Sequence, residues 1–215
     1  MTANQPRPFN AARVKVVAQL MLVALAVGCG NPVADEKIEA LGAEVEGVEP
    51  GEHHRPGQPC VLCHSKAGGA DPHMAIGGTI FADQRSFLPV EGAEVVIYDT
   101  LGDVYTMTSN CIGNFYLEDT DLIPQFPLAV EVRCPTYNAA GERLEAPKVV
   151  SMNSWISRDG SCASCHSLSG TQVDSTGWIF CNDPSAIAAN PYPEVAPTCP
   201  GKAPQEAGEA AETSP

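Results

Sequence analysis

Two short segments of the chain each combine two cysteines and a histidine at one fixed spacing. Cys60 and Cys63 precede His64, and Cys162 and Cys165 precede His166. Two residues between the cysteines make one tight turn, which brings both sulfurs to one edge of a porphyrin, next to its two vinyl groups. The following imidazole then lies beneath the ring, where its nitrogen can bind the iron. The spacing therefore predicts covalently attached haem c at both segments, with His64 and His166 as proximal ligands.

An iron that is bound by one histidine has a sixth coordination position, and four residues are candidates for it. His54 and His73 lie ten residues before and nine residues after His64, so either can fold over the first haem. His53 is the third histidine candidate, and Met152 is the nearest candidate upstream of the second motif. The choice matters because His/Met ligation raises the reduction potential relative to ligation by two histidines.

The N-terminal residues have the pattern of an export signal. Residues 1–28 carry three basic residues and no acidic one, and residues 16–27 form an apolar run. This order is typical of a secretory signal, although a short buried helix with a core cysteine is an alternative. Residues 25–29 (LAVGC) resemble a bacterial lipobox, which implies that Cys29 is acylated and anchors the exported chain in the bacterial cell envelope. Gly30 is compatible with sorting to the outer membrane.

The cysteine pairs allow other interpretations besides haem. At the ten motif positions the chain resembles the multihaem c-type cytochromes, and the resemblance implies two covalently attached haems. The four motif cysteines could instead hold one zinc ion as thiolates, or each pair could form a disulfide. The zinc interpretation leaves both motif histidines unexplained, and it puts thiolates in an oxidising compartment. A redox dithiol would need a βαβ context, which the sequence does not contain.

The central region, residues 76–152, has the pattern of short β-strands. Leu128, Val130 and Val132 alternate with other residues at a period of two, which is typical of a half-buried strand. Turns rich in Gly, Asn and Asp separate such runs. The predicted strands are 76–81, 93–99, 103–109, 114–118, 127–134 and 142–151. The sequence thus predicts a mainly β fold, an antiparallel β-sandwich of about six or seven strands flanked by two loop-rich haem-binding segments.

Part of this region is similar to a known family. Residues 78–80 (GTI), 89–97 (PVEGAEVVI) and the segment from Thr108 to Phe115 resemble the carboxypeptidase regulatory-like, or transthyretin-like, β-sandwich. The resemblance extends over about residues 75–150. It implies an accessory module without catalytic activity of its own.

Apart from Cys29, four cysteines remain outside the motifs, and in an exported protein such cysteines are usually disulfide-bonded. They are Cys111, Cys134, Cys181 and Cys199. The predicted strand order brings the turn that contains Cys111 and the strand end that contains Cys134 to the same pole of the sandwich. We therefore predict disulfides between Cys111 and Cys134 and, by exclusion, between Cys181 and Cys199.

The chain divides into six predicted regions. These are a lipoprotein signal peptide (1–28), a flexible acidic tether (29–52), a first haem-binding segment (53–75), the sandwich (76–152), a second haem-binding segment (153–183) and a Pro-rich disordered tail (184–215). With 19 Gly, 19 Pro and 6% aromatic residues among 215, the composition indicates strands joined by turns rather than a large enzyme core. The strand pattern leaves open whether the two haems lie at the same end of the sandwich.

The charge balance restricts the possible partners. Acidic residues outnumber basic ones 26 to 12, for a net charge of −14, which excludes nucleic-acid binding through a basic patch. The same charge favours a redox protein partner with a cationic docking surface. Together with the two predicted haems, these features predict an electron carrier with no catalytic residues.

Two other classes of function stay open. A dihaem peroxidase or reductase would need an open coordination site and acid–base groups, for which the sequence shows no cluster. A cell-surface binding or structural module would use its cysteine pairs only for zinc or disulfides.

Overall fold

The computed structural model of the protein describes residues 31–44, 51–120, 123–167, 175–183, 190–192 and 199. Within these residues the fold is mainly β. The helices are α1 (Pro32–Ala40) and α2 (Cys60–Cys63), and Cys162–Ser164 forms a 3-10 turn. The strands are β1 (Met74–Phe81), β2 (Glu94–Tyr98), β3 (Val104–Thr108), β4 (Asn114–Glu118), β5 (Ala129–Cys134), β6 (Lys148–Ser151) and β7 (Ile179–Phe180).

The strands form two sheets, one of three strands in the order β4-β1-β7 and one of four in the order β3-β2-β5-β6. All paired strands are antiparallel except β1 and β7, which are parallel. Side chains of both sheets meet in one buried cluster. It includes Ile76, Ile80 and Phe115 from the first sheet and Val95, Ile97 and Val132 from the second. Because the apolar faces share this core, the two sheets form a sandwich, as predicted.

All six predicted strands are present, but the last one is shorter than expected. The prediction began it at residue 142, whereas β6 begins at Lys148. The preceding residues form a local turn instead, in which the Asn138 side chain accepts hydrogen bonds from the backbone of Ala140 and Glu142. Such a side chain satisfies the backbone locally and competes with strand pairing. The seventh strand, β7, was not predicted, because two residues carry no periodicity.

The four described cysteines outside the motifs are in disulfides, as predicted, but the predicted pairing is wrong. Cys111 is bonded to Cys199 and Cys134 to Cys181, with Cα–Cα distances of 5.4 and 5.7 Å. Cys111, which follows β3, and Cys134, the last residue of β5, do lie near strand ends at the same pole, because both strands pair with Glu94 near their ends.

The reason for the error is that β2 lies between β3 and β5. Strands two positions apart in a sheet are separated by about 10 Å. A disulfide needs Cα atoms within about 7 Å, so Cys111 and Cys134 cannot be bridged. Cys134 instead meets Cys181, which directly follows β7.

The regions on either side of the sandwich are partly described. The signal segment 1–28 and Cys29 lie outside the described residues. Within the predicted tether, α1 begins at the N-cap Asn31, whose side chain accepts from the Ala34 N–H. Within the predicted disordered tail, Asn190 is buried and Tyr192 donates to the carbonyl of Pro135 at 2.8 Å. Among the described residues, none of the helices has the length and apolar character needed to cross a membrane.

Candidate haem-attachment sites

The two cysteine–histidine motifs adopt the same local turn. Cys60–Cys63 forms one turn of α-helix and Cys162–Ser164 a 3-10 turn. In both motifs the backbone N–H of the histidine donates to the carbonyl of the first cysteine, at 2.9 Å for His64 and 2.8 Å for His166. Two segments far apart in the sequence therefore present their cysteines and histidine from an equivalent backbone.

The four motif cysteines carry free thiols, whereas the four other described cysteines are in disulfides. Burial raises the pKa of Cys60 to about 11, with a smaller contribution from the neighbouring Cys63 thiol. Burial likewise raises the pKa of Cys162 to about 12, and the nearby Cys60 adds to this effect. Burial also raises the pKa of Cys63, while Cys165 is exposed. Burial thus favours the neutral thiol form of Cys60 and Cys162.

Both motif histidines are held through Nδ1. The Nδ1 atom of His64 lies 2.9 Å from the carbonyl oxygen of Pro72, and that of His166 lies 3.0 Å from the carbonyl oxygen of Gly177. Because a carbonyl oxygen can only accept, Nδ1 carries the proton and Nε2 keeps its lone pair. Metal-binding histidines are usually oriented by this kind of hydrogen bond. Both imidazoles are therefore in the tautomer that binds a metal through Nε2.

Strand β1 brings the two motifs together. A Cβ atom on Gly77 would lie 2.8 Å from the Cβ of Cys60, and one on Gly78 would lie 2.8 Å from the Cβ of Cys162. Because neighbouring residues of a strand point to opposite faces, the two motifs pack on the two sides of β1. Glycine at both positions permits this close approach. The motifs are therefore neighbours and do not lie at opposite ends of the sandwich.

A cleft of about 460 Å³ lies beside the first motif. Cys60, Cys63 and His64 line it, together with apolar or aromatic side chains that include Ile38, Leu41, Met74 and Phe115. Its volume lies in the range of small-molecule and cofactor sites, and such sites are lined mainly by apolar groups. Two thiols, one imidazole and an apolar wall are a donor set and a surface that fit a covalently attached haem.

The second motif has different surroundings. Cys162 packs against the sandwich core, but Cys165 is exposed. The Thr176 hydroxyl lies 3.0 Å from Nδ1 of His166, in addition to the carbonyl of Gly177. Residues 168–174, which follow this motif, lie outside the described residues. The thiols and the imidazole fit a haem here too, with more of the site open to solvent.

A second cleft, of about 870 Å³, lies between the two motifs. Val61 and Leu62 of the first motif and Ala163 and Ser164 of the second line it, together with Trp178. The Trp178 ring stacks on Phe81 with the ring centres 4.3 Å apart. An aromatic side chain that packs on the end of β1 therefore lines the same cleft as both motif turns.

The four candidates for a sixth ligand lie in different parts of the fold. His54 lines the cleft of the first motif, and its ring centre is 5.7 Å from that of His64. His53 is next to Glu52, with its Nε2 atom 3.6 Å from the carboxylate, and Nε2 of His73 is 4.0 Å from the Asp71 carboxylate. Met152 follows β6 in the four-stranded sheet, whereas the second motif packs on β1 in the other sheet.

The four motif cysteines do not converge on one point. Among the described residues, the only group of three or more His, Cys, Asp or Glu ligand atoms within 4.8 Å of one another consists of His53, Cys111 and Cys199. The sulfurs of Cys111 and Cys199 are joined to each other in a disulfide, so they are not available as thiolates. A single four-cysteine zinc site is therefore not assembled in the described part of the chain.

Sequence reasoning did not identify the residues that position these motifs. Gly77 and Gly78 contact the motif cysteines, and Trp178 lines the cleft that both motifs share. Asn114 donates hydrogen bonds to the carbonyls of Glu52 and His54, which precede the first motif. All of these contacts depend on the folded sandwich. A pair of adjacent glycines inside a predicted strand was a usable signal, because glycine in a strand often marks a close approach by another backbone.

The fold and the motifs together define a disulfide-bonded β-sandwich that carries two C-x-x-C-H turns on one strand. Comparison with models of protein families finds no match to this chain, and comparisons with curated proteins and with solved structures find none either.

Proposed function

We propose that the protein is an exported, lipid-anchored electron carrier with two covalently attached haems. Cys60, Cys63 and His64 hold one haem, and the second motif, residues 162–166, holds the other. The observation that carries this proposal is the geometry common to both motifs. In each, two free thiols flank a single turn and the next histidine is held by a carbonyl at Nδ1 with Nε2 available. Neither a disulfide nor a four-cysteine zinc site needs the two histidines.

The attachment chemistry requires only these side chains. Each thiol adds across one vinyl group, so the sulfur bonds to one vinyl carbon and the thiol hydrogen goes to the other. The addition consumes no oxidant or reductant. The bound haem supplies one-electron chemistry, and the chain contributes axial ligation, burial and hydrogen bonds to the axial imidazole. The apolar wall of the first cleft limits the access of water to that site.

The packing on β1 supports electron exchange between the two sites. Cys60 and Cys162 approach adjacent residues of one strand, and they are close enough for Cys60 to raise the pKa of Cys162. Short covalent links on both sides of one strand keep the cofactors near each other. A rigid sandwich as scaffold also limits the structural change that accompanies a change of charge at the iron.

The proposed location and partner follow from the sequence. The charged and apolar pattern of residues 1–28 with Cys29 supports export and lipid anchoring in a bacterial envelope. The net charge of −14 supports a redox partner with a cationic docking surface and an association that weakens as salt increases. The resemblance of the sandwich to carboxypeptidase regulatory-like domains supports a scaffold role for that region.

Counting haems on the exported protein tests the proposal. The full chain is produced with its own signal in a host that attaches haem c, and it is analysed by intact mass and by the pyridine haemochrome assay. We expect two haems per chain, and none in a control in which all four motif cysteines are replaced by serine. Folded protein that is colourless and free of iron would overturn the proposal. Zinc in such protein would support the alternative of a surface binding or structural module.

A further inference from the structure

We infer that His54 is the second axial ligand of the haem at the first motif and that Asn114 positions it. This inference rests on the proposed function. The sequence offers four candidates for a sixth ligand without a preference, and the fold brings one of them to His64. The argument uses the position of the His54 ring, its tautomer and the hydrogen bonds that hold its backbone.

The two imidazoles face the same cleft at a suitable separation. The ring centres of His54 and His64 are 5.7 Å apart, with an angle of 46° between the ring planes. Both residues line the cleft that also contains the two thiols of the first motif. An imidazole nitrogen binds a metal at about 2 Å and its ring centre lies about 1 Å further back, so two imidazoles on opposite sides of one metal have centres about 6 Å apart.

The tautomer of His54 matches that of the two proximal histidines. Nδ1 of His54 is hydrogen-bonded to the carbonyl of Gly51, as Nδ1 of His64 is to Pro72 and Nδ1 of His166 is to Gly177. The carbonyl fixes the proton on Nδ1 and leaves Nε2 as the ligand atom. His53 and His73 differ, because a carboxylate faces Nε2 in each of them.

The segment that carries His54 is held in place by a buried amide. The side-chain nitrogen of Asn114, at the start of β4, donates to the carbonyl of His54 at 2.9 Å and to that of Glu52 at 3.3 Å. The hydroxyl of Thr79 on β1 donates to the side-chain oxygen of Asn114 at 2.7 Å, and the same hydroxyl accepts from the N–H of Gly57. Groups of this kind behind a ligand fix its orientation and strengthen binding.

Ligation by two imidazoles has consequences that can be measured. It leaves no open position at the first haem, so that haem is low-spin and does not bind carbon monoxide when reduced. The potential of this haem is also lower than histidine–methionine ligation would give. Met74, which lines the same cleft, then serves only as an apolar contact.

The test uses the exported chain with both haems attached and compares His54→Ala with three controls, His53→Ala, His73→Ala and Met74→Leu. We expect His54→Ala to convert one haem to a high-spin form, seen by resonance Raman and electron paramagnetic resonance. The reduced variant should bind one more carbon monoxide per chain than the parent protein. Added imidazole should restore the low-spin form. All three controls should leave the parent spectra unchanged.

Two further variants keep the test decisive. His54→Met retains a ligand atom and is expected to stay low-spin with a higher potential. Asn114→Ala removes the amide behind His54 and is expected to give a mixture of spin states at one haem, which added imidazole shifts to low-spin. A merely structural role of Asn114 would lower the unfolding midpoint without creating the high-spin fraction.

The two proposals fail in different ways. A His54→Ala protein with two attached haems, unchanged spin states and unchanged carbon monoxide binding would overturn the assignment of His54 and leave the proposed function intact. A change produced by Met74→Leu instead would overturn it in the same way. Protein that acquires no haem would overturn the proposed function, and the inference with it.

Discussion

The two C-x-x-C-H motifs of this chain have the same local turn but different surroundings. The first lies beside an apolar cleft with a second imidazole across from His64, while the second packs Cys162 against the core and exposes Cys165. In each motif, the turn is closed by a hydrogen bond between the first and the last of its five residues, so the turn lies within the motif itself. Everything that distinguishes the two sites comes from the strands and segments around them. Comparing the two motifs therefore shows that the motif residues determine the local turn, whereas the surrounding fold determines the burial and the contacts of each site.

A different disulfide lies near each motif. Cys134–Cys181 joins the end of β5 to the residue after β7, on the chain segment that returns from the second motif. Cys111–Cys199 lies next to His53, and His53 belongs to the segment that leads to the first motif. Each disulfide therefore restrains the neighbourhood of one motif more than that of the other.

Removing the cysteine pair of one motif should have the largest effect on haem content, and it allows the site at the other motif to be studied alone. We expect Cys60→Ser/Cys63→Ser and Cys162→Ser/Cys165→Ser each to retain one haem per chain, because the proposed attachment uses each motif separately. In the second variant only the first haem remains, and it should be low-spin and inert to carbon monoxide. Intact mass and the spectrum of the reduced protein with carbon monoxide measure both expectations. Loss of both haems from either variant would show that the sites are not independent.

Removing one disulfide should reveal which site it supports. We expect Cys134→Ser/Cys181→Ser and Cys111→Ser/Cys199→Ser each to lower the free energy of unfolding by about 2–5 kcal/mol, because each releases a long loop. The first variant should disturb mainly the second haem, and the other variant mainly the first haem. Denaturant unfolding and site-resolved spectra of the single-haem proteins are the measurements. Equal disturbance of both haems by either variant would contradict the pairing of disulfide with motif.

The adjacent glycines Gly77 and Gly78 of β1 allow a matched comparison of how tightly each motif packs on this strand. Each accepts a Cβ only by displacing a neighbour, because either Cβ would lie 2.8 Å from that of a motif cysteine. We expect Gly78→Ala to cost more than Gly77→Ala, within the range of about 1–3 kcal/mol for overpacking. The reason is that the Gly78 methyl would also lie 2.8 Å from the buried ring of Phe115, whereas Gly77 faces Cys60 and Met74. Unfolding midpoints decide the order, and an equal or reversed order would contradict it.

The sequence was sufficient for six of the seven described strands and for the motifs, but not for the lateral order of the strands or for the contacts between them. Alternation of apolar residues predicted β2 and β5, and short β-rich runs between turns predicted the other strands up to β6. The disulfide partners depended on the lateral order of β3, β2 and β5, which no local pattern encodes. No local pattern favours His54, which we propose as a ligand, over the other candidates, because its backbone is held by Asn114, sixty residues away along the chain.

The smallest expected effect concerns a hydrogen bond that only the second motif has. The Thr176 hydroxyl lies 3.0 Å from Nδ1 of His166, while His64 is held at Nδ1 by the Pro72 carbonyl. Because an acceptor at Nδ1 makes the imidazole a stronger donor to the iron, Thr176→Val should raise the potential of the second haem slightly and leave that of the first unchanged.

Redox titration of the two-haem protein measures both potentials at once. Thr106→Val, at an exposed position of β3, is the matched control and should move neither potential. The unfolding free energy of Thr176→Val should fall by about 1 kcal/mol, because the variant loses the hydroxyl's hydrogen bonds to Nδ1 of His166 and to the carbonyl of Cys165. A shift of both potentials would mean that the two irons respond to a common change in the scaffold. A shift confined to the second haem would show that each motif sets its potential through its own hydrogen bonds, although both share the strand β1.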